Sequence, residues 1–408
     1  MNQLFSDRLI NLSLRGLTIL LKFVLSILII KELSLEDYGI FGLFQSSIII
    51  LSFIVGFDFY TFSSREILKK DAKPVNYYFT NQLVFHLFAY IVILPLSYFI
   101  FYSGIIDFKY FVLFILILVS EHLSQEIYRI LIILNKSVIA TTVLFFRSGL
   151  WIIALYIVWN QNYLSKSIDS ILILWLIGAI ISVILGFNFL NLKKLKKLDV
   201  KWILLGVKVA LPFFIGTIFY KLIEFSGRYF LIFFYGESEV GVFTFFTSIA
   251  NILFVFVQTI VIIERYPKLI EAKEKGKELF LVSLKVFNKE IIQYSMAGFV
   301  LSIVFIYPLL WFLDKIELFE SFISYIILLI SSLMFCLSFI SHYALYSYKR
   351  DFYILKATTF GLMINLVMSF LLIPRYSVLG ASIAQLAAFF SMFVLKVYFW
   401  KKIKISEI

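Results

Sequence analysis

Twelve times between residues 9 and 400 the chain runs for about twenty residues with scarcely a charge. That is the length an α-helix needs to cross roughly 30 Å of hydrocarbon. Lipid admits only segments that satisfy every backbone group internally, so each run reads as a helix. The spans are expected near 9–30, 38–61, 77–101, 110–132, 137–159 and 168–190, then near 203–227, 239–263, 287–312, 321–345, 353–373 and 378–400. Stretches such as Phe111 to Ser120, FVLFILILVS, are apolar on every face and belong among lipid and other helices. The composition agrees: 62% of the 408 residues are hydrophobic and 15% charged, where a soluble domain is about half apolar and a quarter charged. The 48 Phe and 24 Tyr suit lipid-facing surface and interfacial belts.

Positive charge alternates loop by loop. With the N-terminus inside, the inside segments hold 25 Lys and Arg, including Arg8, Lys70, Lys193, Lys194 and Lys404, and the outside loops hold 6. The positive-inside rule gives this asymmetry for twelve spans with both ends in the cytoplasm. The net charge of +12 is therefore topological, not the basic surface of a nucleic-acid binder. The single cysteine, Cys336, excludes an internal disulfide and any Cys-based zinc or iron–sulfur site. No cofactor and no metal site are expected. The first apolar segment runs on without a small-residue cleavage site, so no cleavable signal peptide is expected.

A repeat divides the chain. LSLEDYGIFGLF (Leu33 to Phe44) aligns with YGESEVGVFTFF (Tyr235 to Phe246) at an offset of 202, placing Gly39 over Gly241, Phe41 over Phe243 and Phe44 over Phe246. Six helices separate the copies, which implies two parallel six-helix halves related by an axis along the membrane normal. The expected fold is an all-α integral membrane protein with lobes 1–192 and 203–408 around a central cavity, joined by a basic cytoplasmic linker at 193–202. The stretch Glu264 to Glu278 reads as a surface-lying amphipathic helix or a solvated loop.

A charge at the bilayer centre costs about 2.5–3.5 kcal/mol on insertion scales, so it faces a cavity or a partner. Helix 1 carries Asn11, Arg15, Thr18, Lys22 and Ser26 as one polar stripe, and helix 7 repeats the spacing with Thr217, Lys221, Glu224 and Arg228. The offset places the two stripes on equivalent faces, where they would meet between the halves. Helix 4 adds Glu121, Gln125 and Arg129 at i+4 steps, flanked by His122 and Glu126, and helix 5 adds Arg147. Arg129 and Arg228 stand near helix ends and could snorkel. Glu126 with Arg129, and Lys221 with Glu224, could neutralise each other as i,i+3 pairs. Arg15 and Arg147 have no acid within one turn of their own helices. Asp58 and His86 read as single polar residues in apolar surroundings, Asp58 either at a helix end or as a cation ligand. Unpaired cations in a cavity call for an anion. A lipid-linked pyrophosphate fits, because its head must cross hydrocarbon while its tail stays in lipid, and Arg grips phosphate bidentately without losing its charge.

Five stretches carry a family resemblance: LSLEDYGIFGLF, then GFDFYTFSSREI (Gly56 to Ile67), EHLSQEIYRILIILNKSVIATTVLFFRSGLW (Glu121 to Trp151), LPFFIGTIFYKLIEFSGRYFL (Leu211 to Leu231) and IPRYSVLGASIA (Ile373 to Ala384). They resemble the bacterial polysaccharide flippases of the Wzx type, translocases of O-antigen and exopolysaccharide units. These are relatives of the multidrug and toxin extruders and of the lipid II flippase, which has two further helices. The resemblance covers nearly the whole chain, although its motifs define no chemical site. It implies a MATE-like fold in the bacterial inner membrane. It also implies export of undecaprenyl-pyrophosphate-linked oligosaccharide by alternating access, with H+ or Na+ as coupling ion and a polysaccharide polymerase as possible partner. Arg15, Lys22, Arg129, Arg147, Lys221 and Arg228 would then attract the pyrophosphate. Glu121, Glu126, Glu224 and Asp58 would balance charge or couple the ion. An extruder of drugs is the first rival. A membrane polymerase or ligase is the second, and it lacks the large outside loop such enzymes tend to need.

Overall fold

The computed structural model describes residues 2–69, 73–190 and 196–407. Lys70, Lys193 and Lys194, with the first residues of the expected linker, lie outside the described residues, as do the side chains of Arg8 and Lys404. Among the described residues there is helix and no strand, as hydrocarbon demands of a chain with no closed barrel.

The helices are α1 (Asn2–Glu32), α2 (Leu35–Gly56), the short α3 (Tyr60–Ile67), α4 (Val75–Tyr102), α5 (Phe111–Ile133), α6 (Ser137–Asn160) and α7 (Ile168–Leu190). They continue as α8 (Val200–Phe234), α9 (Glu237–Lys275), α10 (Lys277–Leu313), the short α11 (Ile316–Glu320), α12 (Phe322–Ser347) and α13 (Asp351–Glu407). Among the described residues, eleven are long and apolar enough to cross a membrane. The last is two spans in one: Ser377 leaves helical geometry (φ 47°, ψ −127°), three residues after Pro374. A side chain at Gly380 would strike the Leu372 carbonyl at 2.5 Å, so only glycine allows the approach there. Each part exceeds the roughly 20 residues a span requires, which restores the expected twelve.

Several expected boundaries shift. The second span stops at Gly56, not 61, because Phe57 and Asp58 both turn left-handed (φ 52° and 48°). Asp58 therefore sits in a turn between α2 and α3. The expected surface helix at 264–278 is helical, but it continues α9 as far as Lys275 before Gly276 breaks it (φ 135°). Arg265 pairs there with Glu290 of α10 through two parallel bonds, one of them 2.6 Å. Two spans also carry a π-turn, at Phe146–Leu150 in α6 and Gln258–Ile262 in α9.

Two compact units emerge: Met1–Leu33 with Leu43–Ile218, and Ser34–Gly42 with Phe219–Ile408. The first half of α8 thus belongs to the N-terminal unit. Trp202 packs with Phe59, Phe62 and Tyr78, and Phe214 stacks on Phe57 at 4.2 Å. The residues before Trp202 are tied to α4. Asn81 Oδ1 accepts from the Asp199 N–H at 2.6 Å, and the Tyr77 hydroxyl donates to Asp199 Oδ2 at 2.6 Å. The Tyr77 bond and the Trp202 N–H hold the Asp199 carboxyl below the usual carboxylate range.

In the C-terminal unit the start of α2 packs on the start of α9. A Cβ at Gly39 would lie 1.9 Å from the Glu237 carbonyl oxygen, and one at Gly241 would lie 2.0 Å from that of Leu35. Shifted by 202, the first contact becomes the second. Gly42 meets Thr244, its own equivalent, at 2.5 Å. Reciprocal contacts of this kind are what a two-fold relation produces, so the repeated glycines sit where the two copies cross.

Candidate functional site

The polar stripe of α1 finds its partners inside its own unit. Asn11 donates to Ser137 Oγ at 3.0 Å on α6, and Arg15 Nη2 donates to the Tyr128 hydroxyl at 3.1 Å on α5. Two turns further along, Lys22 is exposed and stands within electrostatic reach of Arg147 and Glu121. Tyr128 and Glu121 are likewise two turns apart on α5, so the two stripes run past each other level by level. Thr18, between them, is buried and turns back to the Leu14 carbonyl.

Arg147 enters from the π-turn of α6, an irregularity that re-aims a side chain and recurs at functional sites. Its Nε approaches Glu121 Oε2 at 3.5 Å, while Nη1 is buried without a hydrogen-bond partner. The acid that its own helix lacks thus comes from α5. Glu121 is shared further, because the Trp175 indole donates to Oε1 at 2.5 Å. Lys22 and Arg147 consequently share one carboxylate, while Arg15, two turns away, is held by a neutral hydroxyl. A bound anion would restore neutrality and fill the vacant guanidinium donor.

On the other face of α5 lies a second cluster. Glu126 pairs with Arg129 and accepts from Gln82 Nε2 at 2.5 Å. Arg129 does not snorkel: it lies 3.8 Å over the Tyr60 ring. His122 holds Tyr90 by a 2.7 Å hydrogen bond, and its ring meets that of His86 at 4.6 Å. Asp58 hydrogen-bonds Thr217 and stands within electrostatic reach of Arg129 and Glu126. The expectation that Asp58 and His86 are isolated in apolar surroundings is corrected. Helix periodicity relates residues within one helix, and these partners come from different ones.

In the C-terminal unit, Lys221 Nζ pairs with Glu224 Oε2 at 2.7 Å, and Asn251 donates to Glu224 Oε1 at 3.4 Å. Arg228 is 4% exposed and does not snorkel either. It donates to Thr244 Oγ1 at 3.0 Å and Thr247 Oγ1 at 3.2 Å, with Phe225 under its guanidinium at 4.8 Å. The sequence reading missed Lys396, which is 2% exposed and reaches the Ser338 hydroxyl at 3.4 Å. The signal was present, a lysine within an apolar run, but its closeness to the expected helix end disguised it.

Helices apolar enough to span a membrane thus hold charge against one another, with Lys22 and Arg147 on the single carboxylate of Glu121. The chain belongs to the polysaccharide biosynthesis protein family, whose model matches residues 5–272. Its fold is that of a multidrug resistance MATE family transporter of the MOP superfamily, at TM-score 0.75, 16% identity and 98% coverage of both chains. The Vibrio cholerae MATE transporter VcmN matches at TM-score 0.68 and 16% identity, over 100% of this chain and 97% of that one. The lipid II flippase MurJ matches at TM-score 0.74 and 15% identity, over 97% of this chain and 87% of that one. No curated protein matches in sequence. The family and the all-helical fold are those that the resemblance to polysaccharide flippases implied.

Proposed function

We propose that the protein flips an undecaprenyl-pyrophosphate-linked oligosaccharide repeat unit across the bacterial inner membrane by alternating access, coupled to a cation gradient. Both termini lie in the cytoplasm on this reading, and a polymerase receives the product outside. The observation that carries it is the charge imbalance along α1 and α6: Lys22 and Arg147 on the one carboxylate of Glu121, Arg15 on the neutral Tyr128 hydroxyl, and a buried guanidinium nitrogen of Arg147 with nothing to bind. Each uncompensated cation costs about 2.5–3.5 kcal/mol within the hydrocarbon on insertion scales, a penalty that an anionic substrate offsets. A pyrophosphate diester carries two negative charges, the size of the deficit. The family supports a polysaccharide precursor as cargo, and the likeness to a lipid II flippase supports a lipid-linked one.

Arg147→Ala and Arg147→Lys, expressed in a flippase-null strain, test the reading. Surface polysaccharide should fall steeply with alanine and partly return with lysine, which keeps the charge and loses the planar fork. Immunoblots of membrane fractions should show equal amounts of both. Normal polysaccharide from Arg147→Ala at normal protein level would overturn the assignment.

A further inference from the structure

The carboxylate of Glu121 is divided between a neutral neighbour and a charged one. Trp175, buried on α7, donates from its indole nitrogen to Oε1 at 2.5 Å. Oε2 faces Arg147 Nε at 3.5 Å and makes no hydrogen bond with it. Arg147 therefore keeps Nε and Nη1 buried without a hydrogen-bond partner, although a carboxylate stands beside it.

An arginine beside a carboxylate ordinarily closes onto it, often as a fork of two parallel bonds. Arg265 does so in this chain: Nε donates to Glu290 Oε2 at 2.6 Å and Nη2 to Oε1, so the arginine takes both oxygens. Among the described residues, Arg147 with Glu121 is the arginine–carboxylate pair that stays open. A bonded oxygen alone does not hold such a pair apart. Gln82 takes one oxygen of Glu126, and Arg129 still closes on the other. What differs at Glu121 is that both sides of the gap are fixed.

The Trp175 indole is locked by its neighbours. It stacks on the Trp151 indole at 13°, with ring centroids 6.2 Å apart, and meets Phe44 edge-on at 6.0 Å. Trp151 in turn donates to the backbone carbonyl of Arg147 at 3.1 Å, which anchors the π-turn. Helix α7 presses on the same turn. A Cβ at Gly178 would stand 2.9 Å from the Phe146 carbonyl oxygen and 2.9 Å from Trp151 Cδ1. One indole thus fixes the counter-ion and the other the backbone of Arg147, and neither side chain closes the gap alone.

We infer that Trp175 is a positioning residue for anion binding. By holding Glu121 off Arg147 it keeps two guanidinium nitrogens open to an anion. That this anion is a lipid-linked pyrophosphate rests on the function proposed above. The same bond serves when the anion arrives. Glu121 keeps the indole N–H as its partner while phosphate oxygens take the guanidinium, so recognition does not strand a buried carboxylate.

Geometry and affinity test this separately, on full-length protein in nanodiscs. A structure of Trp175→Phe should show Arg147 and Glu121 closed to about 2.8 Å. A gap unchanged at 3.5 Å would overturn the positioning role whatever the ligand is. Titrated with undecaprenyl pyrophosphate, Trp175→Phe should bind about tenfold more weakly than the wild type, because the guanidinium must first leave Glu121. In a Glu121→Gln background the same change should do nothing, because an amide carries no charge to draw Arg147 in. An equal loss in both backgrounds would show that the indole only supports the fold, and no loss in either would sink the inference outright. Should Trp175→Phe fail to accumulate, Trp175→Leu carries the same two comparisons. No binding of undecaprenyl pyrophosphate by the wild type would sink the pyrophosphate reading, and the structure of the variant would still decide the role of Trp175.

Discussion

The polar stripes of α1 and α8 share their spacing and differ in how their charge is balanced. In the N-terminal unit Lys22 and Arg147 draw on Glu121, Arg15 has the neutral Tyr128 hydroxyl, and Arg147 keeps a buried nitrogen with no acceptor. In the C-terminal unit Lys221 and Glu224 neutralise each other within a turn, and two threonine hydroxyls hold Arg228. A satisfied charge stabilises a packed helix, and an unsatisfied one is a vacancy for a ligand. On the proposed function, anion recognition falls to the first unit and support to the second.

The largest effect should come from Arg147→Ala, with a loss of about 10- to 100-fold in transport rate, the equivalent of the 1.5–3 kcal/mol of a charge-assisted hydrogen bond. Flux of lipid-linked oligosaccharide in proteoliposomes at matched protein content measures it. Arg228→Ala should instead lower the amount of folded protein, by about 2–5 kcal/mol of stability, because it opens a cavity beside Thr244 and Thr247. Arg228→Met keeps most of the volume without the charge and should recover both accumulation and transport. If Arg228→Met accumulates normally but does not transport, the contrast between the units is broken.

Smaller effects sharpen it. Gly39→Ala should cost about 1–3 kcal/mol, because the Glu237 carbonyl must give way, and the repeat makes Gly241→Ala cost a similar amount. Thermal melts that differ widely between the two would argue against an equivalent crossing. Lys221→Gln should destabilise more than Lys221→Gln with Glu224→Gln, since the single change strands a carboxylate that the double change removes. Additive losses would show that the pair is not structural.

Much of this was legible in the sequence. Twelve spans and the repeated glycines follow from hydropathy and an offset of 202. Such signals are written along one segment at a time. The site depends on what neighbouring helices supply. Arg147 has no acid in its own helix, and Glu121 arrives from α5. His86 looks solitary in α4 until α5 places His122 against it. The π-turn that aims Arg147 has no Gly–Pro signature, and Phe57 adopts left-handed geometry that its residue type does not suggest, beside an aspartate that tolerates it. The expectation for α1 erred for the same reason: a stripe's spacing marks a face of the helix, and the partners facing it had to come from the fold.

The smallest effect concerns the tie between the segment preceding α8 and α4, which holds the start of α8 in the N-terminal unit. Asp199 is its centre, bonded by the Tyr77 hydroxyl and the Trp202 N–H, with Lys73 Nζ at 3.8 Å. Its carboxyl titrates below the usual range, so it binds protons less readily folded than unfolded. Its contribution is then fully present above the unfolded value, about 3.9 for an aspartate. It fades only as pH falls through the lower folded value. The melting temperature of Asp199→Asn should therefore sit slightly below that of the wild type by a constant margin from neutral pH down to about 5. The margin should close under stronger acid. The Asp199 side chain is 35% exposed, so the margin should be small and should shrink little with salt, since hydrogen bonds rather than the long Lys73 contact dominate. A difference that vanished at high salt would transfer the tie to Lys73. One that appeared only below pH 4 would mean that the Asp199 carboxyl is raised, not lowered, in the folded protein.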